Sequence, residues 1–140
     1  MPVSIRQQLK TNLATALGGE WGLPAPTDER DLPFTSLDNG SETASAAFDS
    51  MFCEITLTVA RAAVATSPTA SVLNAEAEAL QAAIHIELCG ASVDQTFGDL
   101  ADEVTYLGGG TAVEMGKFIW GLAEFSVKHH HVRGDPYTIE

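Results

Sequence analysis

The chain has 140 residues, of which 45% are hydrophobic, and a formal net charge of −12 from 19 acidic and 7 basic side chains. This length suits a single domain over residues 1–140, and the hydrophobic share argues against bulk disorder. The acidic excess disfavours simple nucleic-acid binding, because neutralising phosphates requires Lys and Arg. The sequence has no run of 18 apolar residues and no signal-peptide layout at its start, so we expect synthesis in the cytoplasm and no membrane partner.

Residues 3–17 have the periodicity of an amphipathic helix. The apolar side chains fall on one stripe, which contains Ile5, Leu9, Leu13, Ala16 and Leu17. Ser4 is a suitable N-cap, and Gly18 is suitable at the end of the helix. We expect this helix to cover one face of a sheet.

Two strands are predicted next, over residues 32–37 and 51–64. In the second, apolar and polar residues alternate with a period of two, which is typical of a central strand with one dry and one wet face. The segment between them, residues 38–50, is small, polar and rich in turn residues. It is predicted to be the long mobile loop of a hairpin.

A second helix is predicted over residues 71–88, with an apolar face formed by Leu73, Ala77, Leu80, Ile84 and Leu88. Residues 104–107 form a short predicted strand, and residues 108–110 a flexible glycine turn. A strong final strand covers residues 117–131, and an extended tail covers residues 134–140. The predicted fold class is therefore α+β, with an antiparallel or mixed sheet of about four strands and two main helices packed on one face.

The sequence offers no signature of catalysis, and we expect that the protein is not an enzyme. GxSxG, HExxH and CxxC motifs are absent, and no pair of acidic residues is isolated enough to nominate for acid–base chemistry.

His129, His130 and His131 are adjacent on a predicted strand, where neighbouring side chains point to opposite faces. At most two of them could share one ion, and no Cys or carboxylate is placed to complete the site. No metal and no cofactor is predicted.

Three segments of the chain resemble the tail terminator (tail completion) proteins of long-tailed bacteriophages. These segments are ITLTVARAAV, LNAEAEALQAAIHIEL and LAEFSVKHHHVRGDPY. The N-terminal helix and the LPFTSL strand also lie where that family has them, so the resemblance covers most of the chain.

This resemblance implies a virion structural protein at the head-proximal end of the tail. Such proteins form a homo-hexameric ring that binds the last layer of the tail tube and ends tube polymerisation. The ring also presents a surface to the head–tail connector, and DNA passes through its lumen without specific binding. The implied partners are thus the chain itself, the tail tube protein and the head–tail connector protein.

Three sets of residues are predicted to carry these contacts. The candidate tube-contact set lies in the 38–50 loop and consists of Asp38, Asn39, Gly40, Glu42 and Phe48. The candidate acidic set for the lumen or a partner lies in the span 62–116, which has no Lys or Arg, and consists of Glu76, Glu78 and Glu87. The candidate subunit-interface set lies on the last strand and consists of Ile119, Phe125 and Val127.

Two alternatives remain open at the level of the sequence. The protein could be another head–tail joining or completion protein, which would share its structural class. It could instead be a small α+β ligand-binding domain, and that class predicts a monomer or dimer with a closed pocket.

Overall fold

A computed structural model describes residues 3–32, 34–66, 68–114 and 117–139. Its elements in chain order are α1 (Ile5–Leu17), β1 (Glu20–Trp21), a short 3-10 turn (Glu29–Asp31), β2 (Phe34–Ala47), β3 (Ser50–Val64), α2 (Ala70–Cys89), β4 (Glu103–Val113) and β5 (Phe118–Val132). The strands form one sheet in the order β1-β2-β3-β5-β4. The predicted α+β class is confirmed. The sheet is mixed because the two-residue β1 pairs parallel with β2, whereas the other pairs are antiparallel.

The predicted central strand is confirmed as β3, which pairs with β2 on one side and with β5 on the other. Its odd-numbered residues Ile55, Leu57 and Val59 are fully buried. Leu57 and Val59 join Phe125 and Val127 of β5 in the main hydrophobic cluster. The period-two pattern therefore identifies the face of the sheet that the helices cover, called here the helix face.

Both predicted helices are confirmed, and both pack on the helix face. The Ser4 hydroxyl accepts a hydrogen bond from the Gln7 amide at the start of α1, and Gly18 ends the helix in the left-handed conformation at φ 64°. Leu9 and Leu13 of α1 share one hydrophobic cluster with Ile84 of α2. Gly90 after α2 is extended, at φ −67°, so α2 ends without a left-handed cap.

The prediction of a long loop over residues 38–50 is wrong, because β2 continues through Ala47. Ala47 pairs with Ser50, and the connection is a tight turn at Phe48 and Asp49. Residues 38–47 are all exposed, so neither face of this half of β2 enters the core. A strand that is wet on both faces has no apolar alternation, and its small polar sequence therefore suggested a loop. A register shift between Asn39 and Glu42 marks a bulge.

The prediction of a four-residue strand followed by a glycine turn is also wrong. The strand β4 runs from Glu103 to Val113 and includes all three glycines. The register with β5 shifts between Tyr106 and Gly108, and Gly108 has φ 129°, a backbone conformation that favours glycine. The glycines therefore form a bulge and a smooth strand edge where the sequence suggested a turn.

The C-terminal segment is folded back on the chain, in contrast to the extended tail that was predicted. The amide of Val132 donates to the carbonyl of Thr138, and the amide of Ile5 donates to the carbonyl of Pro136. Ile139 packs against the main hydrophobic cluster. This segment therefore packs against the start of α1. Residue 140 lies outside the described part of the chain.

The close packing of α2 on the sheet depends on Gly121 in β5. A Cβ atom at Gly121 would lie 2.5 Å from the amide nitrogen of Gln81 and 2.8 Å from the carbonyl carbon of Leu80. Those are backbone atoms of a helix, which cannot move aside as a flexible side chain can. In β4 of the same sheet, Gly110 has nothing within 4 Å of the same position.

We expect Gly121→Ala to lower the free energy of unfolding by about 1–3 kcal/mol, since added volume at a packed site forces backbone shifts. The matched control Gly110→Ala should change it by less than about 0.5 kcal/mol, since its new methyl group meets no neighbour. Urea denaturation followed by circular dichroism measures both values. Equal losses in the two variants would contradict this account of the helix–sheet contact.

Candidate functional site

The most distinctive feature of the surface is the distal half of the β2–β3 hairpin, residues 38–53, called here the arm. β1 pairs with only Ser36 and Leu37 of β2. Beyond Leu37, the outer edge of β2 has no strand partner among the described residues. The amide and carbonyl groups of an unpaired edge can pair with another chain, so the arm is a candidate contact element.

Phe48 lies at the tip of the arm, in the turn between β2 and β3. Its side chain is 96% exposed, and its backbone has φ 54°, a conformation that costs a non-glycine residue roughly 1–2 kcal/mol. Phe52, on the β3 side of the arm, is also exposed. An exposed aromatic ring held in an unfavourable backbone conformation contributes nothing to the core, and it is typical of a contact residue.

A charged pair ties the base of the arm to the first helix. The Arg6 guanidinium donates to both carboxylate oxygens of Glu42, from Nε to Oε1 at 2.6 Å and from Nη2 to Oε2 at 3.1 Å. This hydrogen-bonded pair holds the pKa of Glu42 below its ordinary value of 4.5. Glu42 thus fixes the base of the arm against α1, and at the tip the amide of Arg133 donates to the carbonyl of Asp49 at 2.6 Å.

Two cavities of about 430 and about 300 Å³ lie beside the arm. Their linings share Ala44 of β2, Cys53 of β3 and His129 of β5, which follow one another across the sheet. His129 is only 2% exposed, and neither of its ring nitrogens has a hydrogen-bond partner among the described residues. Burial lowers the pKa of His129, so its imidazole is neutral near pH 7. A neutral imidazole offers one donor and one acceptor, and both are unused here.

The other two histidines of the triplet have separate surroundings. His130 faces the opposite side of the sheet, where its Nδ1 lies 2.7 Å from Asp102 Oδ1. His131 Nδ1 lies 2.8 Å from the carbonyl oxygen of Val132. The described residues contain no group of three or more His, Cys, Asp or Glu side chains that could hold a metal ion.

The structure places the predicted tube-contact residues on one element. Asp38 and Asn39 lie where the arm leaves the core, and Gly40 lies in the bulge, where a Cβ atom would be 3.2 Å from Thr56. Glu42 forms the pair with Arg6, and Phe48 lies at the tip. Their grouping is as predicted, although they belong to a strand and a turn. Their contact with a tube remains a prediction.

Of the three predicted acidic residues, Glu87 forms an ion pair within the molecule. Its carboxylate pairs with the guanidinium of Arg61, which also donates to the carbonyl of Leu17 and to the hydroxyl of Thr35. Arg61 therefore joins β3, β2 and both helices through one mostly buried side chain. Glu87 is a structural residue in this network, in contrast to its prediction as a free acidic surface. Glu76 and Glu78 lie in α2 beyond its first turn, and Glu78 is exposed. A role for these two in the lumen or at a partner remains a prediction.

The predicted subunit-interface residues are wrong as surface contacts. Ile119, Phe125 and Val127 are 3%, 0% and 0% exposed. They face α1 and α2 in the two hydrophobic clusters of the domain. The apolar character of both faces of β5 reflects a core on the helix face and a contact between Phe34 and Trp120 on the other face.

Sequence reasoning missed Arg6, Arg61 and the unpartnered His129. Arg6 is 36 positions from Glu42, and Arg61 is 26 positions from Glu87, so no local pattern relates the partners. The triplet drew attention to His129, but its burial follows from the pairing of β5 with β3. Only the alternation of strand faces hinted that His129 and His130 would differ.

The chain shows little sequence similarity to known proteins. No protein-family model matches the chain, and no curated protein matches it. A chain in the solved structure "Virion of native gene transfer agent (GTA) particle" is similar at 19% identity and a TM-score of 0.47, over 91% of this chain and 92% of that one. At these values the likeness does not assign a fold or a function. Within the described residues, neither helix has the length and apolar character needed to cross a bilayer.

Replacing Glu42 by Gln should remove a contribution to stability that depends on pH. The folded state lowers the pKa of Glu42, so this contribution is present above pH 4.5 and is lost as the pH falls through the lowered value. The pair is exposed to solvent, and we therefore expect a loss of roughly 0.2–1 kcal/mol at pH 7 that shrinks below pH 4.5. Unfolding in urea at several pH values measures it. Asp38→Asn, which removes a charge from the same strand at a residue with no ion-pair partner among the described residues, should cost less at pH 7, and an equal loss there would contradict the assignment.

Replacing Glu87 by Gln should destabilise the domain more than replacing Glu78 by Gln. The first change weakens charged hydrogen bonds to Arg61, whose side chain is 16% exposed, so we expect a loss of about 1.5–3 kcal/mol. The second removes an exposed charge that has no partner within the described part of the chain and should cost less than about 0.5 kcal/mol. Thermal and urea unfolding compare the two variants, and similar values would mean that the Arg61 network contributes little.

Proposed function

We propose that this protein is a virion structural protein that forms a ring at the head-proximal end of a phage-like tail tube. In this role it ends tube polymerisation, joins the tail to the head connector, and performs no catalysis. The proposal draws on the segments that resemble tail terminator proteins and on the geometry of the arm. The ring stoichiometry implied by that resemblance is six.

The observation that carries the proposal is the arm with Phe48 at its tip. In the arm, residues 38–47 of β2 form an exposed edge of the sheet, and the turn that follows carries an exposed aromatic ring. A protein that docks on an assembled tube can use such an edge and tip to contact the next layer. The Arg6–Glu42 pair sets the direction of the arm from its base.

The distribution of charge supports the same role. The span from residue 62 to 116 contains eight acidic residues and no Lys or Arg, and it includes α2 with exposed Glu78. In a ring whose lumen conducts DNA, an anionic wall repels phosphates and does not retain the passing strand. Glu76 and Glu78 are the residues we propose for that wall or for a basic partner surface.

The cavities at His129 favour a second candidate, a small ligand-binding domain, because an apolar pocket with an unpaired polar group is typical of such proteins. The two candidates differ in assembly. Light scattering across a concentration series, with and without tube protein, separates them. We expect a ring-sized particle, or a monomer that assembles on the tube. A monomer indifferent to concentration and to tube protein would contradict the ring.

Phe48→Gly tests the arm directly. Glycine accepts φ 54° without strain, so the free energy of unfolding should be unchanged or should rise by up to about 1 kcal/mol. If Phe48 docks on the tube, binding to tube protein should weaken by about tenfold or more, since aromatic residues often dominate interfaces. Sedimentation with assembled tubes measures binding, and electron microscopy measures tail length.

The control for Phe48→Gly is Ile86→Ala, which removes another exposed apolar side chain from α2. This variant should bind tubes normally and give tails of normal length. Equal tube binding by the Phe48→Gly variant and the unaltered protein would exclude the tip from the contact.

A further inference from the structure

We propose that copies of this chain join head to tail by pairing the arm edge of one copy, residues 42–47 of β2, with the β4 edge of the next copy, residues 108–113. The resulting contact is a continuous antiparallel sheet across the subunit boundary. This inference deepens the ring proposed above and rests on it only for the closure of the ring.

The two edges have matched lengths. Beyond its bulge, β2 stays in unbroken register with β3 from Glu42 to Ala47, which is six residues. Beyond its own bulge, β4 stays in unbroken register with β5 from Gly108 to Val113, which is also six residues. The two stretches therefore have the same number of residues in register, and neither has a strand partner on its outer side among the described residues.

Proteins protect exposed edges with Lys, Pro, bulges and inward-pointing charges. On each edge the bulge precedes the six-residue stretch, and neither stretch contains Lys or Pro. Here the arm edge reads ETASAA and the β4 edge reads GGGTAV, so Glu42 is the one charged residue in both stretches. Glu42 is already paired with Arg6. Small uncharged side chains allow two backbones to approach to hydrogen-bonding distance.

The strand directions also fit. Since β2, β3, β5 and β4 alternate in direction along the sheet, β2 and β4 run in opposite directions. A second copy that continues the sheet without turning over therefore places its β2 antiparallel to β4 of the first copy. Antiparallel pairs have the better hydrogen-bond geometry. The two edges are different surfaces, so the contact is heterologous and repeats in one direction, as a ring requires.

The cavities beside the arm give an independent reason for a partner at this edge. Ala44 and Cys53 are small, and both cavities reach from them to the buried His129. The neutral imidazole lacks both hydrogen-bond partners within the described residues. A strand added beside β2 has side chains that alternate between the two faces, and these would cover the Ala44 end of the cavities. The same pairing therefore satisfies the backbone of the edge and covers one end of the space that reaches His129 on β5, two strands further in.

Disulfide trapping tests the pairing in the full chain with Cys53→Ser and Cys89→Ser as background. Ser45, Gly110 and Ala112 face the side of the sheet opposite to the helices, whereas Thr111 faces the helices. We mix the Ser45→Cys variant with the Gly110→Cys, Ala112→Cys or Thr111→Cys variant and oxidise mildly. We expect a crosslinked dimer with Gly110→Cys or Ala112→Cys and none with Thr111→Cys, because a disulfide needs Cβ atoms within about 4.5 Å on one face.

The outcomes separate this inference from the proposed function. Light scattering on the same background shows whether the protein assembles alone or with tube protein. Assembly without crosslinks, or with crosslinks equally from Thr111→Cys, would overturn the edge pairing and leave the ring intact. Absence of assembly in every condition would overturn both.

A second pair of variants tests the edge without new cysteines. Ala46→Lys places on the arm edge a charged side chain of the kind that prevents strand pairing. It should weaken self-association by about tenfold or more, while the melting temperature of the monomer stays the same. Ala79→Lys adds the same charge to an exposed position of α2 and should leave association unchanged. Equal association by these two variants would contradict the proposal.

Discussion

The structure depends on the pairing of β3, which pairs with β5 along all fifteen of its residues and with β2 from Ser50 to Ala62, with one bulge in β2. Both neighbours extend into the arm, so the sheet is longer than the layer of helices above it. Where α1 and α2 cover the sheet, the odd-numbered residues of β3 are buried. Where they do not, the same ladder continues as the arm. One strand thus defines both the core and the extension.

The two halves of β3 are stabilised by different interactions. In the core half, apolar burial is reinforced by Arg61, which joins two strands and two helices through charged hydrogen bonds. In the arm half, stability comes from the backbone ladder and from the exposed pair of Arg6 with Glu42. The arm is also held on its inner side by β5, because Ser50 to Cys53 of β3 pair with His129 to Val132. Its open side is the outer edge of β2, where a partner strand could pair without any change in the core.

This division gives physical content to the proposed role in a ring. The core supplies a rigid body, and the arm supplies an open edge, an exposed aromatic tip and the cavities that end at His129. The other open edge lies on the far side of the same sheet, where the glycines of β4 keep it smooth. A molecule with one open edge on each side can be repeated in one direction. In the proposed ring, the acidic span around α2 would be a surface that repels DNA.

The sequence by itself determined both helices, the central strand and the final strand, because each carries an apolar period that only one secondary structure satisfies. It also determined the α+β class and the acidic surface. The tertiary structure alone decided that residues 38–47 and 108–110 are strands, since small residues wet on both faces take their conformation from the neighbouring strand. It likewise decided that Glu87 pairs with Arg61 and that Ile119, Phe125 and Val127 lie in the core. Those contacts join residues that are far apart in the chain, and a local sequence pattern does not show which distant residues come into contact.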